Sequence, residues 1–272
     1  VIFSGDLGNS PQDLIKATEL IGFADAVVME STYGDSTHPT DNPSDLIETE
    51  IKTIETSGGT LLIPAFSIER SQELLHRISH LKKLGKVKSD TRIFFDSPMA
   101  EKATVVFEKH RQFYNNELKH DFANGDPFNF SGLIVIRKPE ESKAIEELVG
   151  PKVIIAGSGM MTGGRILNHA LHYLPMDSTR LLIVGYQGEG TLGRLILEGQ
   201  KKVIIEGKTI DVRANISQTQ AMSSHADQPR LLDWLKHIKG VKKTFLTHGE
   251  NIPRGVLAEK IKSDLGINDI SL

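Results

Sequence analysis

KVIIAGSGMMTGGR, residues 152–165, holds a strand, a glycine-rich turn and the opening of a helix in immediate succession. Lys152–Ala156 is a short apolar run of strand length, closed by Gly157. Gly157-Ser158-Gly159-Met160-Met161-Thr162-Gly163-Gly164 is too rich in glycine to extend either element, so the chain turns there and a helix follows. The same alternation recurs on both sides. From Ser44 the spacing of Leu46, Ile47, Ile51 and Ile54 is helical, and Thr60–Pro64 reads as a strand leading through Phe66-Ser67 into a helix that carries Arg70, Leu74, Leu75 and Ile78. Thr91–Phe95 is a strand ending in Asp96-Ser97-Pro98 with a helix after it, and Leu181–Gln187 is a strand closed by Gly188-Glu189-Gly190. Strands alternating with helices over Ser44–Gly199 predict an α/β fold with a mostly parallel sheet.

The flanks differ in texture. Val1–Ser4 reads as a short strand before the turn Gly5-Asp6-Leu7-Gly8, and Pro11–Ile21 as a helix with Ser10 as N-cap and Pro11 at its first position. Ala26–Glu30 is a buried strand ending at an acid, and Ser31–Pro43 is a polar loop. After Lys201 the segments Val203–Glu206 and Thr209–Ala214 form a hairpin around Gly207. Ser223–Asp227, an amphipathic helix Pro229–Ile238, a strand Lys243–Thr247, His248-Gly249-Glu250 and a last helix complete the chain. The polar stretch Leu118–Pro127 is expected to be the most mobile. These changes place domain limits at 1–42, 43–208 and 209–272, with the first and last stretches forming one module around the middle domain.

Composition narrows the function classes. The chain has 272 residues, 39% of them hydrophobic and 25% charged, values of an ordinary globular protein. No run approaches the roughly 18 apolar residues of a membrane-spanning helix, so no membrane partner is expected. Cysteine is absent, which excludes disulfides, thiolate metal sites and a cysteine nucleophile and fits a cytoplasmic location. A net charge of −3 leaves no global basic signature. A nucleic-acid partner would therefore be held by local patches or by a catalytic groove.

Four acid or imidazole groups stand just past predicted strand ends: Asp6, Glu30, His225 and His248. Loops at the carboxyl ends of strands converge on one edge of an α/β sheet, and functional side chains gather there. His and Asp are ordinary zinc ligands. Singly, each has a plain reading: Asp6 between glycines as a turn residue, Glu30 as a strand-end acid, His225 as the neighbour of a helix cap. His76 and His80 share a helix face at i, i+4, a zinc-capable spacing, but lack the intervening acid of a metalloprotease helix and are not expected to ligate. His169 and His172 are expected to pack on or flank a helix. Gly188-Glu189-Gly190-Thr191-Leu192-Gly193 with Glu206 beyond it has the outline of a dinucleotide fingerprint, although the unit is short of the ~30 residues such a motif needs. Gly157–Gly164 lacks the Gly-Lys-Ser/Thr of a nucleotide phosphate loop, yet its backbone N–H groups could meet an RNA phosphate.

The local contexts of these residues carry a resemblance. Phe3-Ser4-Gly5-Asp6-Leu7-Gly8 resembles the metallo-β-lactamase segment whose Asp bridges two metals. Glu30-Ser31-Thr32-Tyr33-Gly34-Asp35, Ser224-His225-Ala226-Asp227 and Thr247-His248-Gly249-Glu250 resemble three successive signatures of the β-CASP subfamily. Pro64-Ala65-Phe66-Ser67, Arg70-Ser71-Gln72-Glu73-Leu74, Asp96-Ser97-Pro98-Met99-Ala100, Gly157–Gly164 and Gly185–Arg194 are similar to that subfamily's inserted domain. The resemblance implies the C-terminal part of a metallo-β-lactamase-like αββα sandwich (1–42 and 209–272) with an inserted, mostly parallel α/β β-CASP domain (43–208).

It further implies a zinc-dependent hydrolase of RNA phosphodiester bonds, with single-stranded RNA as partner and a homodimer compatible with it. Two zinc ions about 3.5–4 Å apart would clamp the phosphate and supply the hydroxide nucleophile. Asp6 would bridge the metals and His248 would ligate one. Glu30 would orient His225, and His225 would protonate the leaving ribose oxygen or steady the phosphate. Histidine at the third signature, His248, favours RNA over DNA. Ser224, Ser67, Arg70 and Arg165 are candidates for phosphate contacts, arginine through its bidentate fork. Relatives also carry a His-x-His-x-Asp-His cluster upstream of the Gly-Asp-Leu-Gly segment, and this chain has no counterpart. The expectation is a fragment with an incomplete or absent zinc pair, inactive by itself. A catalytically silent RNA-processing scaffold and a dinucleotide-binding protein are the two other readings.

Overall fold

The computed structural model describes residues 1–9 and 14–272. In chain order the elements are β1 (Ile2–Phe3), β2 (Ala26–Glu30), α1 (Pro43–Ser57), β3 (Thr60–Pro64), α2 (Arg70–Lys83), β4 (Arg92–Asp96) and α3 (Pro98–Lys109). Then come α4 (Asn116–Ala123), β5 (Leu133–Val135), α5 (Pro139–Ala144), β6 (Lys152–Ala156), α6 (Arg165–Tyr173), β7 (Thr179–Ile183) and α7 (Leu192–Leu197). The chain finishes with β8 (Lys202–Ile205), β9 (Lys208–Asp211), β10 (Asn215–Gln218), α8 (Gln228–His237), β11 (Lys243–Thr247), α9 (Asn251–Leu265) and β12 (Asp269–Ser271). Two compact units emerge: Val1–Pro39 with Ser223–Leu272, and Thr40–Met222.

The larger unit is built on a six-stranded sheet in the order β10-β7-β3-β6-β4-β5, parallel throughout. Its central strands β3 and β6 are buried along their whole length, as a parallel sheet covered on both faces requires. Leu62, Ile154, Leu181 and Ile183 join Ile166 and Ala170 of α6 in one core. Each large aliphatic side chain there contributes about 1.5–3 kcal/mol by burial. The registers Pro64↔Ala156 and Asp96↔Ala156 align the carboxyl ends of β3, β6 and β4, so the turns after them open on one edge. Helix α1 starts where the sequence provides both signals: Asn42 accepts from the Ser44 N–H at 3.0 Å, and Pro43 occupies the first turn. It stops at Gly58, whose φ of 72° is the left-handed conformation that glycine adopts without steric cost.

The smaller unit holds a four-stranded parallel sheet in the order β1-β2-β11-β12. Val27, Met29 and Leu246 from the sheet pack with Leu231, Trp234 and Leu235 of α8 and Leu257 and Ile261 of α9. The pairs Phe3↔Val28 and Thr247↔Glu30 align the carboxyl ends of β1, β2 and β11 on one edge.

Several sequence expectations shift. Of the helix expected over Pro11–Ile21, Ser10–Asp13 lie outside the described residues, and Leu14–Ile21 is not helical. There the Glu19 carbonyl accepts from the Trp234 indole N–H at 3.0 Å, an outside donor, and Phe23 bridges to Lys239. The strand expected at Leu181–Gln187 runs over Thr179–Ile183 instead. Past Ile183 the chain turns, and the Gln187 amide donates to the Gly159 carbonyl at 2.8 Å. Leu118–Pro127, expected to be mobile, is helical through Ala123, started by the Asn115 side chain capping Leu118 N–H at 2.8 Å and anchored by fully buried Leu118. β10 joins β7 in the larger unit, so the boundary between units falls at Met222/Ser223, later than 209. β8 and β9 pair antiparallel and form their own ribbon. They are not the parallel strand that a dinucleotide-binding crossover needs. Gly193 serves packing instead, since a Cβ there would fall on Gln187 Oε1.

Among the described residues no helix is long and apolar enough to cross a membrane.

Candidate metal-binding and catalytic centre

The smaller unit gathers its chemistry at the carboxyl edge of its sheet. Glu30 is the last residue of β2 and is 1% exposed. Its two oxygens face two different donors: Oε1 accepts the Leu7 N–H at 2.6 Å, and Oε2 lies 2.9 Å from His225 Nδ1. A carboxylate only accepts, so His225 carries its proton on Nδ1 and leaves Nε2 without one in the neutral ring. The Leu7 bond also ties the turn after β1 to the end of β2. The Ala226 N–H reaches the Leu7 carbonyl at 2.7 Å, bringing the segment before α8 to the same place.

His248 follows β11 directly and adopts φ 51°, the left-handed region uncommon for a side chain with Cβ. Two contacts over-determine that backbone. Thr32 Oγ1 donates to the His248 carbonyl at 2.9 Å. At Gly249 a Cβ would fall on Ser31 Oγ and 2.6 Å from the Ser31 carbonyl oxygen, so only glycine allows the approach. Ser31 Oγ in turn donates to the Thr247 carbonyl at 2.8 Å. The result sets His248 Nδ1 3.5 Å from Asp6 Oδ1 and its ring 5.2 Å, centroid to centroid, from that of His225. Thr32 Oγ1 stands 3.3 Å from Nδ1 of both imidazoles.

Donor atoms of Asp6, His225 and His248 lie within 4.8 Å of one another, a span that one metal ion can bridge. The donor set, two imidazoles and a carboxylate, is the chemistry zinc prefers, and it fits part of a zinc centre. Exposure is divided to match. The Asp6 and His248 side chains are 61% and 56% exposed, whereas that of His225 is 17% exposed and backed by Glu30. Access from solvent and rigid support therefore meet at one place.

Two residues that the sequence reading did not single out, Thr32 and His38, complete the surround. His38 Nε2 donates to the His225 carbonyl at 3.0 Å, and the His38 N–H donates to Asp227 Oδ2 at 3.0 Å. Burial holds the His38 imidazole below its ordinary range and outweighs the opposing pull of its bond to that carbonyl. His38 is therefore a neutral support for the His225 backbone. Asp227, 1% exposed, also caps α8 through the Arg230 N–H at 3.2 Å. Only the side-chain chemistry of Thr32 and His38 could have flagged them. Their roles depend on the turn that returns Ser31–Pro39 to the site.

Ser224 sits beside His225 in the smaller unit. Ser67, Arg70 and Arg165 belong to the larger unit, and both arginines are already engaged. Arg70 is buried and ion-paired with Glu73. Arg165 pairs with Asp96 and donates to the Arg137 carbonyl at 2.8 Å, so a phosphate would compete with these partners. His169 is buried with Nε2 2.7 Å from Asp96 Oδ2.

Comparison of the sequence with known proteins finds relatives of this chain. Residues 71–196 match the Beta-Casp domain family, and residues 209–271 match the family described as Zn-dependent metallo-hydrolase RNA specificity domain. A ribonuclease of Thermus thermophilus is 37% identical over 254 residues, covering 92% of this chain and 57% of that protein. An RNase J-like protein of Methanocaldococcus jannaschii is 32% identical, covering 92% of this chain and 58% of that protein. An endoribonuclease of Kluyveromyces lactis is 26% identical over 97% of this chain and 35% of its own length. The chain thus spans little more than half of the first two relatives.

Proposed function

Because this chain belongs to the β-CASP family of metallo-β-lactamase-fold proteins, we propose that it supplies part of the active centre of a zinc-dependent ribonuclease that hydrolyses RNA phosphodiester bonds. The observation that carries the reading is the convergence of Asp6, His225 and His248 within 4.8 Å, with buried Glu30 bonded to His225 Nδ1. The units 1–39 with 223–272 and 40–222 are read as the metallo-β-lactamase-like module and the β-CASP domain.

Asp6 and His248 would hold the metal, the carboxylate because its two oxygens can each face an ion, and the imidazole because a neutral ring nitrogen is a good zinc donor. Zinc, when bound, activates water and neutralises charge on the phosphodiester. Every other contribution comes from the protein. Glu30 fixes the tautomer and direction of His225, as carboxylates do for imidazoles beside metals. His225, when protonated at Nε2, can give that proton to the departing ribose oxygen or hold a phosphate oxygen. Thr32 and His38 keep both imidazoles in register. Ser224 and Ser67 are the hydroxyls proposed to meet the RNA backbone. RNA is preferred over DNA on the presence of His248, and a cytoplasmic location on the absence of cysteine.

The two donors assigned to the metal, Asp6 and His248, are fewer than the roughly four that each zinc takes. The reading therefore concerns a complete protein in which further ligands join these, and this chain alone is expected to show weak zinc binding and no cleavage. The test is metal-dependent cleavage of matched RNA and DNA oligonucleotides by the complete protein. Zinc-dependent RNA cleavage abolished by a chelator supports the proposal. A zinc-loaded protein that binds RNA without cutting it would establish the silent scaffold instead.

A further inference from the structure

We propose that His76, His80 and Asp121 form a second transition-metal site, wholly within the larger unit, that takes a single zinc-class divalent ion and clamps α2 to α4. His76 and His80 are one helical turn apart on α2, so their side chains project from the same face. Spacing alone gave two donors and no reason to choose them. The fold adds the third, Asp121, from α4: its Oδ2 lies 2.7 Å from His76 Nε2 and 2.8 Å from His80 Nε2. All three donor atoms fall within 4.8 Å of one another.

The arrangement matches what a two-histidine, one-carboxylate zinc site requires. Around a tetrahedral zinc with bonds of about 2.0–2.1 Å, neighbouring donors stand roughly 3.3 Å apart. Opening the present cluster by about half an ångström makes that room. His80 can supply the movement, because its side chain is 32% exposed whereas that of His76 is 2% exposed. In the metal-free triad Asp121 accepts from both Nε2 atoms, so the ion would displace those Nε2 protons and leave each neutral imidazole protonated on Nδ1 with Nε2 as donor beside one carboxylate. The exposed side at His80 leaves place for a water as fourth ligand, as in sites with three protein donors. Asp121 is well fixed for the purpose. α4 is capped by Asn115 and anchored by buried Leu118, while Phe122 stacks on Tyr114 with centroids 5.3 Å apart. Nitrogen-rich donors of this kind select zinc, nickel, cobalt or copper over magnesium and calcium, which prefer oxygen.

The ion would tie together two helices separated by the long segment Leu84–Asn115. Binding to the folded state alone then raises thermal stability by linkage. The test is calorimetric titration of the protein with zinc chloride, alongside H80A, D121N and, as a control for the other centre, H248A. The expected result is one zinc site lost, with affinity down at least 100-fold, in both H80A and D121N, and the same site retained in H248A. Zinc at about 100 times its Kd should raise the Tm of the unaltered protein by about 5–10 °C and leave that of H80A unmoved at this step. Asn at 121 keeps an oxygen that accepts a hydrogen bond while weakening the metal donor, so D121N separates ligation from folding. Equal zinc stoichiometry and affinity in the unaltered protein, H80A and D121N would overturn the proposal and leave a hydrogen-bonded triad.

Discussion

Glu30 presents two acceptor oxygens to two N–H groups, those of Leu7 and His225, from the buried end of a strand. Glutamine at this position has one oxygen and one NH2, so one of the two N–H groups must face a donor. In the complete protein Glu30→Gln is expected to lower the proposed RNA turnover about 10–100-fold with zinc content nearly unchanged, the usual cost of altering a residue that orients a site imidazole. Steady-state kinetics with metal analysis on the same samples check this, and full activity would make Glu30 a strand-end acid only. Gly249 gives a second test at this scale. Gly249→Ala forces a Cβ into Ser31 and is expected to cost about 1–3 kcal/mol in denaturant unfolding while displacing His248. Unchanged stability would show that the Ser31 approach is not tight. Asp6, Glu30 and His248 were legible because each follows or ends a strand and sits in a recognisable run; His225 was legible from its run alone, since it lies in the segment leading into α8 and not past a strand end as expected. Thr32, His38 and Asp121 were not. Their partners lie 193, 187 and 45 residues away in sequence, and only the fold brings them within bonding distance.

Elements were legible wherever period and caps agreed. α1 carries helical apolar spacing, an Asn cap, Pro in its first turn and Gly at its end, and it forms as read. The helix expected at Pro11–Ile21 had a cap and a proline but little periodicity, and tertiary bonds take the described part of that segment. Asp96 was visible as a strand end. Its function as a junction was not, since the Arg165, His169 and Ser142 that surround it come from α6 and α5. Burial would raise the Asp96 pKa, but the hydrogen bonds from His169, Ser142 and Arg165 outweigh it and hold the carboxyl below its ordinary value. A depressed folded-state pKa stabilises the fold above the unfolded value of about 3.9, and that increment is lost as pH falls through the folded value. Asp96→Asn, which leaves Arg165 and His169 without their carboxylate, is expected to cost about 3–5 kcal/mol at neutral pH. The gap should narrow as pH drops below about 4. Denaturant unfolding across pH checks both, and a gap that widens toward acid would contradict the assignment.

At the scale of the molecule, the α/β class and the parallel sheet of the larger unit were readable from the repeated strand–turn–helix succession. The boundary between units was less so, because β10 carries the same short β texture as the hairpin before it and only its pairing with β7 assigns it. The smaller unit draws Asp6, Glu30, His225 and His248 from both ends of the chain onto one sheet edge, and the proposed hydrolysis depends on that convergence. Its most direct test is the rate of zinc-dependent cleavage of a single-stranded RNA by the complete protein, measured for the unaltered sequence, Asp6→Asn and His248→Ala with zinc content recorded for each. Loss of at least about 100-fold in rate and a fall in bound zinc in both variants, at unchanged secondary structure, is the result predicted. Cleavage at the unaltered rate with Asp6 or His248 replaced would contradict the account.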